Sequence, residues 1–156
     1  MKTATLVLLL IASTVIACNQ PTSSDYITEL EAKKTVDEIS YILSIPKVGF
    51  ALSDSLQFTF TVHNESDVAK TFDFANQQQF GFRLTDGSGN IALFYPFIVQ
   101  PANSIFTLQV DETKLFSISW LFKDQNGNFI SRGDYSLSAY LAEGKSPPVS
   151  LQISVR

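Results

Sequence analysis

The stretch Leu56-Gln57-Phe58-Thr59-Phe60-Thr61-Val62-His63 sets Leu56, Phe58, Phe60 and Val62 on one side of the chain and Gln57, Thr59, Thr61 and His63 on the other. Successive side chains of an extended chain point to opposite faces of its sheet, so this alternation predicts a strand with one buried face. Upstream, Ile39, Tyr41, Leu43 and Ile45 repeat the pattern. Downstream it returns in Phe72/Phe74, Phe80/Phe82/Leu84, Phe106/Leu108/Val110, Phe116/Ile118/Trp120/Phe122, Tyr135/Leu137/Ala139/Leu141 and Val149/Leu151/Ile153/Val155. Turn-forming residues separate the runs, as in Ser53-Asp54-Ser55, His63-Asn64-Glu65-Ser66, Asp86-Gly87-Ser88-Gly89-Asn90, Asp124-Gln125-Asn126-Gly127-Asn128 and Gly144-Lys145-Ser146-Pro147-Pro148. Helical periodicity is absent after residue 38.

About eight short, half-buried strands predict an all-β fold, an immunoglobulin-like antiparallel β-sandwich in a single domain. The inward residues are large, which favours two facing layers over a small barrel. Trp120 is expected to pack in the core against the opposite sheet. Tyr135, opening a late strand after Gly133-Asp134, is placed to return its hydroxyl to nearby backbone as a tyrosine corner.

The first residues read differently. Met1-Lys2 supplies a charge, Leu6–Ile11 an apolar body, and Val15-Ile16-Ala17-Cys18 a small-residue cleavage site, the layout of an export signal too short to span a bilayer comfortably. Val15–Cys18 resembles the bacterial lipobox, and Cys18 is the only cysteine in the chain. Residues 1–17 are therefore expected to be a lipoprotein signal peptide, with Cys18 the lipid anchor that holds the protein to a membrane through several acyl chains such as palmitate. Asn19 is not the Asp that resemblance to sorted lipoproteins links to inner-membrane retention. The expected location is the cell envelope, at the outer membrane if the cell has one. Residues 18–38 form a polar spacer and lead-in, and 39–156 the sandwich; Tyr26–Glu38 reads equally as a short helix or as irregular chain.

The residue inventory argues against an enzyme. His63 is the only histidine, it lies on the face opposite Phe58 and Phe60, and no nucleophile elbow, zinc-binding helix or phosphate loop accompanies it. No cofactor signature is present, and without further cysteines there are neither disulfides nor Cys-based metal sites. Asp86–Asn90 and Asp124–Asn128 space oxygen ligands as calcium loops do, but hairpin-turn chemistry explains both. Arg132-Gly133-Asp134 matches an integrin-binding tripeptide by composition alone. A net charge of −4 offers no basic nucleic-acid footprint.

The candidate partner-binding segment is Phe94-Tyr95-Pro96-Phe97-Ile98-Val99, in which Pro96 interrupts any central strand and carries several aromatics with it. Phe94, Tyr95, Pro96 and Phe97 either form a contact patch or cover an end of the core. Lys145, in its Gly- and Pro-rich loop, is a second candidate.

Taken in order, Asn64-Glu65-Ser66, Phe80-Gly81-Phe82-Arg83-Leu84-Thr85-Asp86 with Gly89, Phe94-Tyr95, Gln100, Glu112, Trp120 and Gly133-Asp134-Tyr135 resemble the BsuPI family of intracellular proteinase inhibitors, over roughly Leu56 to Leu141. The resemblance implies a single sandwich domain and a protease as partner. Val110-Asp111-Glu112 departs from the family's Pro-Gly-Glu turn, Phe94 stands where the family often has Trp, and the export signal departs from an intracellular address. An envelope interaction module without inhibitory activity is the alternative.

Overall fold

The computed structural model describes residues 30–156. Its strands are β1 (Leu30–Val36), β2 (Ile39–Ile45), β3 (Gly49–Phe50), β4 (Ser55–Asn64), β5 (Lys70–Phe74), β6 (Phe80–Asp86), β7 (Ile91–Tyr95), β8 (Ser104–Leu108), β9 (Thr113–Leu121), β10 (Gly133–Leu141) and β11 (Val149–Val155). All eight alternating runs of the sequence become strands. Three strands are additional: β1, β3 and β7.

Two sheets pack face to face, one ordered β1-β2-β4-β9 and the other β3-β11-β10-β6-β7, with a separate β5-β8 ribbon. Every pairing is antiparallel except β3 with β11. Leu43, Leu56, Phe60 and Val62 from the first sheet, with Phe82, Leu84, Leu137 and Leu141 from the second, are completely buried. Phe58 and Phe82 meet edge to face across the layers at 5.1 Å between ring centres, a geometry that aligns a positive ring edge with a negative ring face. Each such side chain contributes about 1.5–3 kcal/mol by leaving water.

β1 occupies a stretch that the sequence presents as a short helix or irregular lead-in ahead of a sandwich starting at residue 39; it is neither, and the first sheet already begins at Leu30. Its residues, Leu30-Glu31-Ala32-Lys33-Lys34-Thr35-Val36, favour helix intrinsically, yet all seven pair with β2, from Leu30 opposite Ile45 to Val36 opposite Ile39. The turn between them, Asp37-Glu38, has φ of 49° and 62°, the doubly left-handed geometry of a two-residue hairpin. Asp-Glu does not advertise that turn as Asn-Gly would. Pairing overrides propensity here, and the charged side chains guard an edge strand.

Val110 does not continue β8 inward. The strand ends at Leu108, and Val110 is exposed in a turn. The cause is Asn64, whose buried side chain draws off the backbone at that point. Its Nδ2 donates to the carbonyls of Val68 (2.8 Å), Gln109 (3.0 Å) and Leu108 (3.2 Å), and its Oδ1 accepts from the Ser66 hydroxyl (2.7 Å) and amide (3.2 Å). Trp120 packs against the opposite sheet as expected, edge to face with Phe82 at 6.0 Å, but it stands half-buried on edge strand β9 and not at the centre. The tyrosine corner is present: Tyr135 donates its hydroxyl to the Ser131 carbonyl at 2.6 Å.

Asn64→Ala is expected to destabilise the protein by about 2–4 kcal/mol, because the buried Leu108 carbonyl and the part-buried carbonyls of Val68 and Gln109 lose their donor. Asn64→Asp, which keeps the acceptor and loses the donors, is expected to be at least as damaging. Denaturant titration of the three proteins checks this, and a well-tolerated Asp would contradict the donor role.

Candidate functional site

The Phe94–Phe97 segment begins on β7, an edge strand paired only with β6. Tyr95 lies opposite Phe82, and Gly81 makes that approach possible. A Cβ on Gly81 would lie 2.8 Å from the Tyr95 carbonyl and 3.0 Å from the Tyr140 ring, closer than side-chain atoms pack. The glycine in Phe80-Gly81-Phe82 thus lets the chain come down onto the sheet just before Pro96.

From there the aromatics turn inward. Tyr95 packs on Phe80 (5.6 Å), Phe82 (5.9 Å) and Trp120 (5.6 Å), and Phe97 on Trp120 (5.5 Å) and Phe94 (5.2 Å). The two uses open for the segment are divided between its residues. Tyr95 and Phe97 cover the core rim beside Trp120, whereas Phe94 is 38 % exposed. Ile98 and Val99 follow, 79 % and 53 % exposed. Beyond them the chain is pinned again: the Gln100 amide donates to Gln78 Oε1 (3.0 Å), and the Gln77 amide donates to the Gln100 carbonyl (3.3 Å).

Lys145 follows a segment that is also bonded to the 75–79 connector. The Ala142 amide donates to the Gln79 carbonyl, and the Glu143 carboxylate receives the Ala75 amide (2.9 Å) and Asn76 Nδ2 (2.5 Å). Lys145 itself pairs with Asp73 at 3.2 Å, and that pairing holds the Asp73 carboxyl below its usual range. A groove of about 520 Å³ between Asp73–Ala75, Asn103–Ile105 and Glu143 lies beside it. The two candidate regions therefore bond to one connector at different residues, Gln100 to Gln77 and Gln78, and Ala142 and Glu143 to Gln79, Ala75 and Asn76. Cys18 lies outside the described residues.

His63 reaches Asp111 through Nε2 (2.9 Å), with Nδ1 3.9 Å from Glu65. The hydroxyl of Ser40, its cross-strand partner, donates to Glu65 (2.5 Å), so this network offers His63 no nucleophile. Glu65 also takes the Lys33 ammonium at 2.8 Å, and these bonds lower its carboxyl pKa, the Lys33 bond most. Asp86 and Asp124 close matching turns: the Oδ1 of each accepts the amides two and four residues ahead, all at 2.9 Å. Gly89 and Gly127 supply the left-handed position in each turn. Among the described residues, no three His, Cys, Asp or Glu side chains converge as a metal site.

The family model described as BsuPI, intracellular proteinase inhibitor, matches residues 50–146, more than half of the chain. The protein belongs to the BsuPI family. The match spans both candidate segments, while β1, β2 and β11 complete the sheets outside it. No curated protein matches. Among solved structures, a β-glucosidase from Erythrobacter marinus is similar at 12 % identity and a TM-score of 0.47, over 82 % of this chain and 16 % of that one. A CARDB domain from Pyrococcus furiosus is similar at 14 % identity and a TM-score of 0.41, over 72 % of this chain and 89 % of that one. This BsuPI chain thus spans about a sixth of the glucosidase's length.

Gly81→Ala should cost about 1–3 kcal/mol by forcing β7 off the sheet. It should also red-shift the emission of Trp120, the only tryptophan, as Tyr95 and Phe97 lift away. Gly87→Ala, where an added Cβ meets nothing within 4 Å, should leave both measurements unchanged.

A second expectation concerns acid. Asp54, Glu65, Asp73, Asp86, Asp124 and Asp134 all hold their carboxyl pKa below the usual range, through bonds to lysines, hydroxyls or backbone amides. A lowered folded-state pKa stabilises fully above the unfolded value and is lost as pH falls through the folded one. The melting temperature should accordingly stay level from about pH 7 to pH 5 and drop below about pH 4. A melting temperature that rose on acidification would contradict this assignment.

Proposed function

We propose that this chain is a non-covalent proteinase inhibitor held at the cell envelope by a lipid on Cys18, at the outer membrane in cells that have one. The observation that carries the inhibitor reading is the BsuPI match over residues 50–146. Inhibition of this kind needs no chemistry from the inhibitor: a segment already ordered before docking loses little entropy when it fills a cleft. His63 and its carboxylates then serve to join turns, and the partner is a protease.

The tethered reading is supported by Val15-Ile16-Ala17-Cys18 and by the position of β1. Eleven residues separate Cys18 from Leu30, so the lipid lies at most about 40 Å from the start of the sandwich. Leu30 pairs with Ile45, at the end of the first sheet opposite Asn64 and the Asp37–Glu38 turn. Lys145 and Pro147 line a hollow with Val36, Asp37 and Ile39 at that far end, opposite the end at which the tether would join. The export signal also favours a second reading, an envelope interaction module without inhibitory activity, because it departs from the family's intracellular address.

Two measurements test the proposal. Cells given a clickable fatty-acid analogue should label the wild-type protein and not Cys18→Ser, and equal labelling would refute the anchor. The purified domain should inhibit at least one member of a panel of serine, cysteine and metalloproteinases at micromolar concentration. Failure against the whole panel, with a non-protease envelope protein recovered by pull-down of the anchored form, would instead support the interaction module.

A further inference from the structure

The connection from β7 to β8, Pro96–Asn103, combines rigidity at its ends with apolar exposure at its tip. Pro96 and Pro101 restrict the backbone at either side. Phe97 is held against Trp120, and both polar backbone groups of Gln100 are tied to Gln77 and Gln78. Between these anchors Ile98 is the most exposed large hydrophobic residue described, with Val99 beside it. An isolated surface isoleucine needs no explanation. This one follows Phe97, which with the exposed Ile91 and Phe94 and with Ala92 and Leu93 forms the apolar side of a shallow groove of about 180 Å³, closed on its other side by Asp124 and Gln125.

The charge pattern supplies an independent observation. From Ile91 to Val110 the chain contains no Asp, Glu, Lys, Arg or His, although 26 of its 156 residues are charged. Lys145, the cationic alternative, is already engaged by Asp73. A proteinase that selects lysine or arginine places a carboxylate in its specificity pocket, and nothing on this loop would satisfy that carboxylate. An uncharged pocket matches a branched aliphatic tip.

Resting on the inhibitor reading above, we propose that Pro96–Gln100 is the segment that enters the protease, with Ile98 filling an apolar specificity pocket. The aromatics Tyr95 and Phe97 act from behind, as the platform that keeps the tip in place. The target class is a proteinase that cleaves after uncharged aliphatic or aromatic residues, and trypsin-like enzymes are poor targets.

The test compares inhibition constants of the full chain against chymotrypsin, elastase and trypsin, for the wild type and for Ile98→Asp, Ile98→Ala and Val68→Asp. Val68 is another exposed apolar residue, 54 % accessible and outside the loop, and controls for general loss of apolar surface. Ile98→Asp should weaken inhibition of an apolar-pocket enzyme about 100-fold, and Ile98→Ala about tenfold or more, since truncating a central anchor removes most of its binding. The melting temperature should not change, and Val68→Asp should inhibit as the wild type does. Undiminished inhibition by Ile98→Asp, or inhibition confined to trypsin, would overturn the loop assignment while leaving the inhibitor reading intact. Absence of inhibition by the wild type against all three enzymes and the wider panel would overturn both.

Discussion

The buried side-chain amide of Asn64 joins three parts of the chain that have no shared strand. Its donors serve carbonyls of the β4–β5 connection and of the β8–β9 turn, and its acceptor receives Ser66. The backbone takes part as well: the Asn64 amide donates to the Glu112 carbonyl, and the Asp111 amide to the Asn64 carbonyl. An amide carries one acceptor and two donor hydrogens on one planar group, so a single residue can close a loop from inside where no ladder exists. Together with these backbone bonds and the Phe106–Phe116 contact, it fixes the β5-β8 ribbon against β4 and β9. Were the Asn64 side chain removed, the buried carbonyl of Leu108 would also be left without its donor, at a cost of about 1–3 kcal/mol.

The ribbon so placed begins an unbroken aromatic path. Phe72 stacks on Phe106 (4.9 Å), Phe106 meets Phe116 (6.3 Å), and Phe116 stacks on Phe80 (4.7 Å). Phe80 leads to Tyr95, Tyr95 to Trp120, and Trp120 to Phe97. Rings this large in contact leave little room for independent movement. The loop at Ile98 is therefore backed by packing that runs to the far ribbon, which explains how a surface segment on an edge strand is held without a disulfide.

The turn Gln109–Glu112 lies where the sequence departs from the Pro-Gly-Glu pattern and retains only the Glu. Asp111 has φ of 61°, a left-handed position suited to the glycine of the family's Pro-Gly-Glu. Aspartate tolerates that conformation better than most residues, and here it also meets His63. The retained Glu112 has a visible task, since its carboxylate accepts the Gln109 amide at 2.6 Å. At the Asp111 position the chain makes a histidine–carboxylate contact, His63 Nε2 to Asp111 Oδ1 at 2.9 Å.

The eight alternating runs, the sandwich and the tyrosine corner were legible in the residues, because period-two burial and Gly-Asp-Tyr act locally. Cys18 is likewise a reading of the sequence alone. Tertiary structure decided matters that depend on partners distant in the chain. β1 is a strand despite helix-favouring residues because β2 offers it a full ladder. β8 stops before Val110 because Asn64, 44 residues from Leu108, takes its carbonyl. The Phe94–Phe97 segment was found in the sequence by its aromatics, yet Tyr95 and Phe97 face inward and Ile98 and Val99 face solvent. Hydrophobicity marks which residues prefer burial, but whether a place in the core exists depends on Gly81 and Trp120, residues that only the folded chain brings beside them.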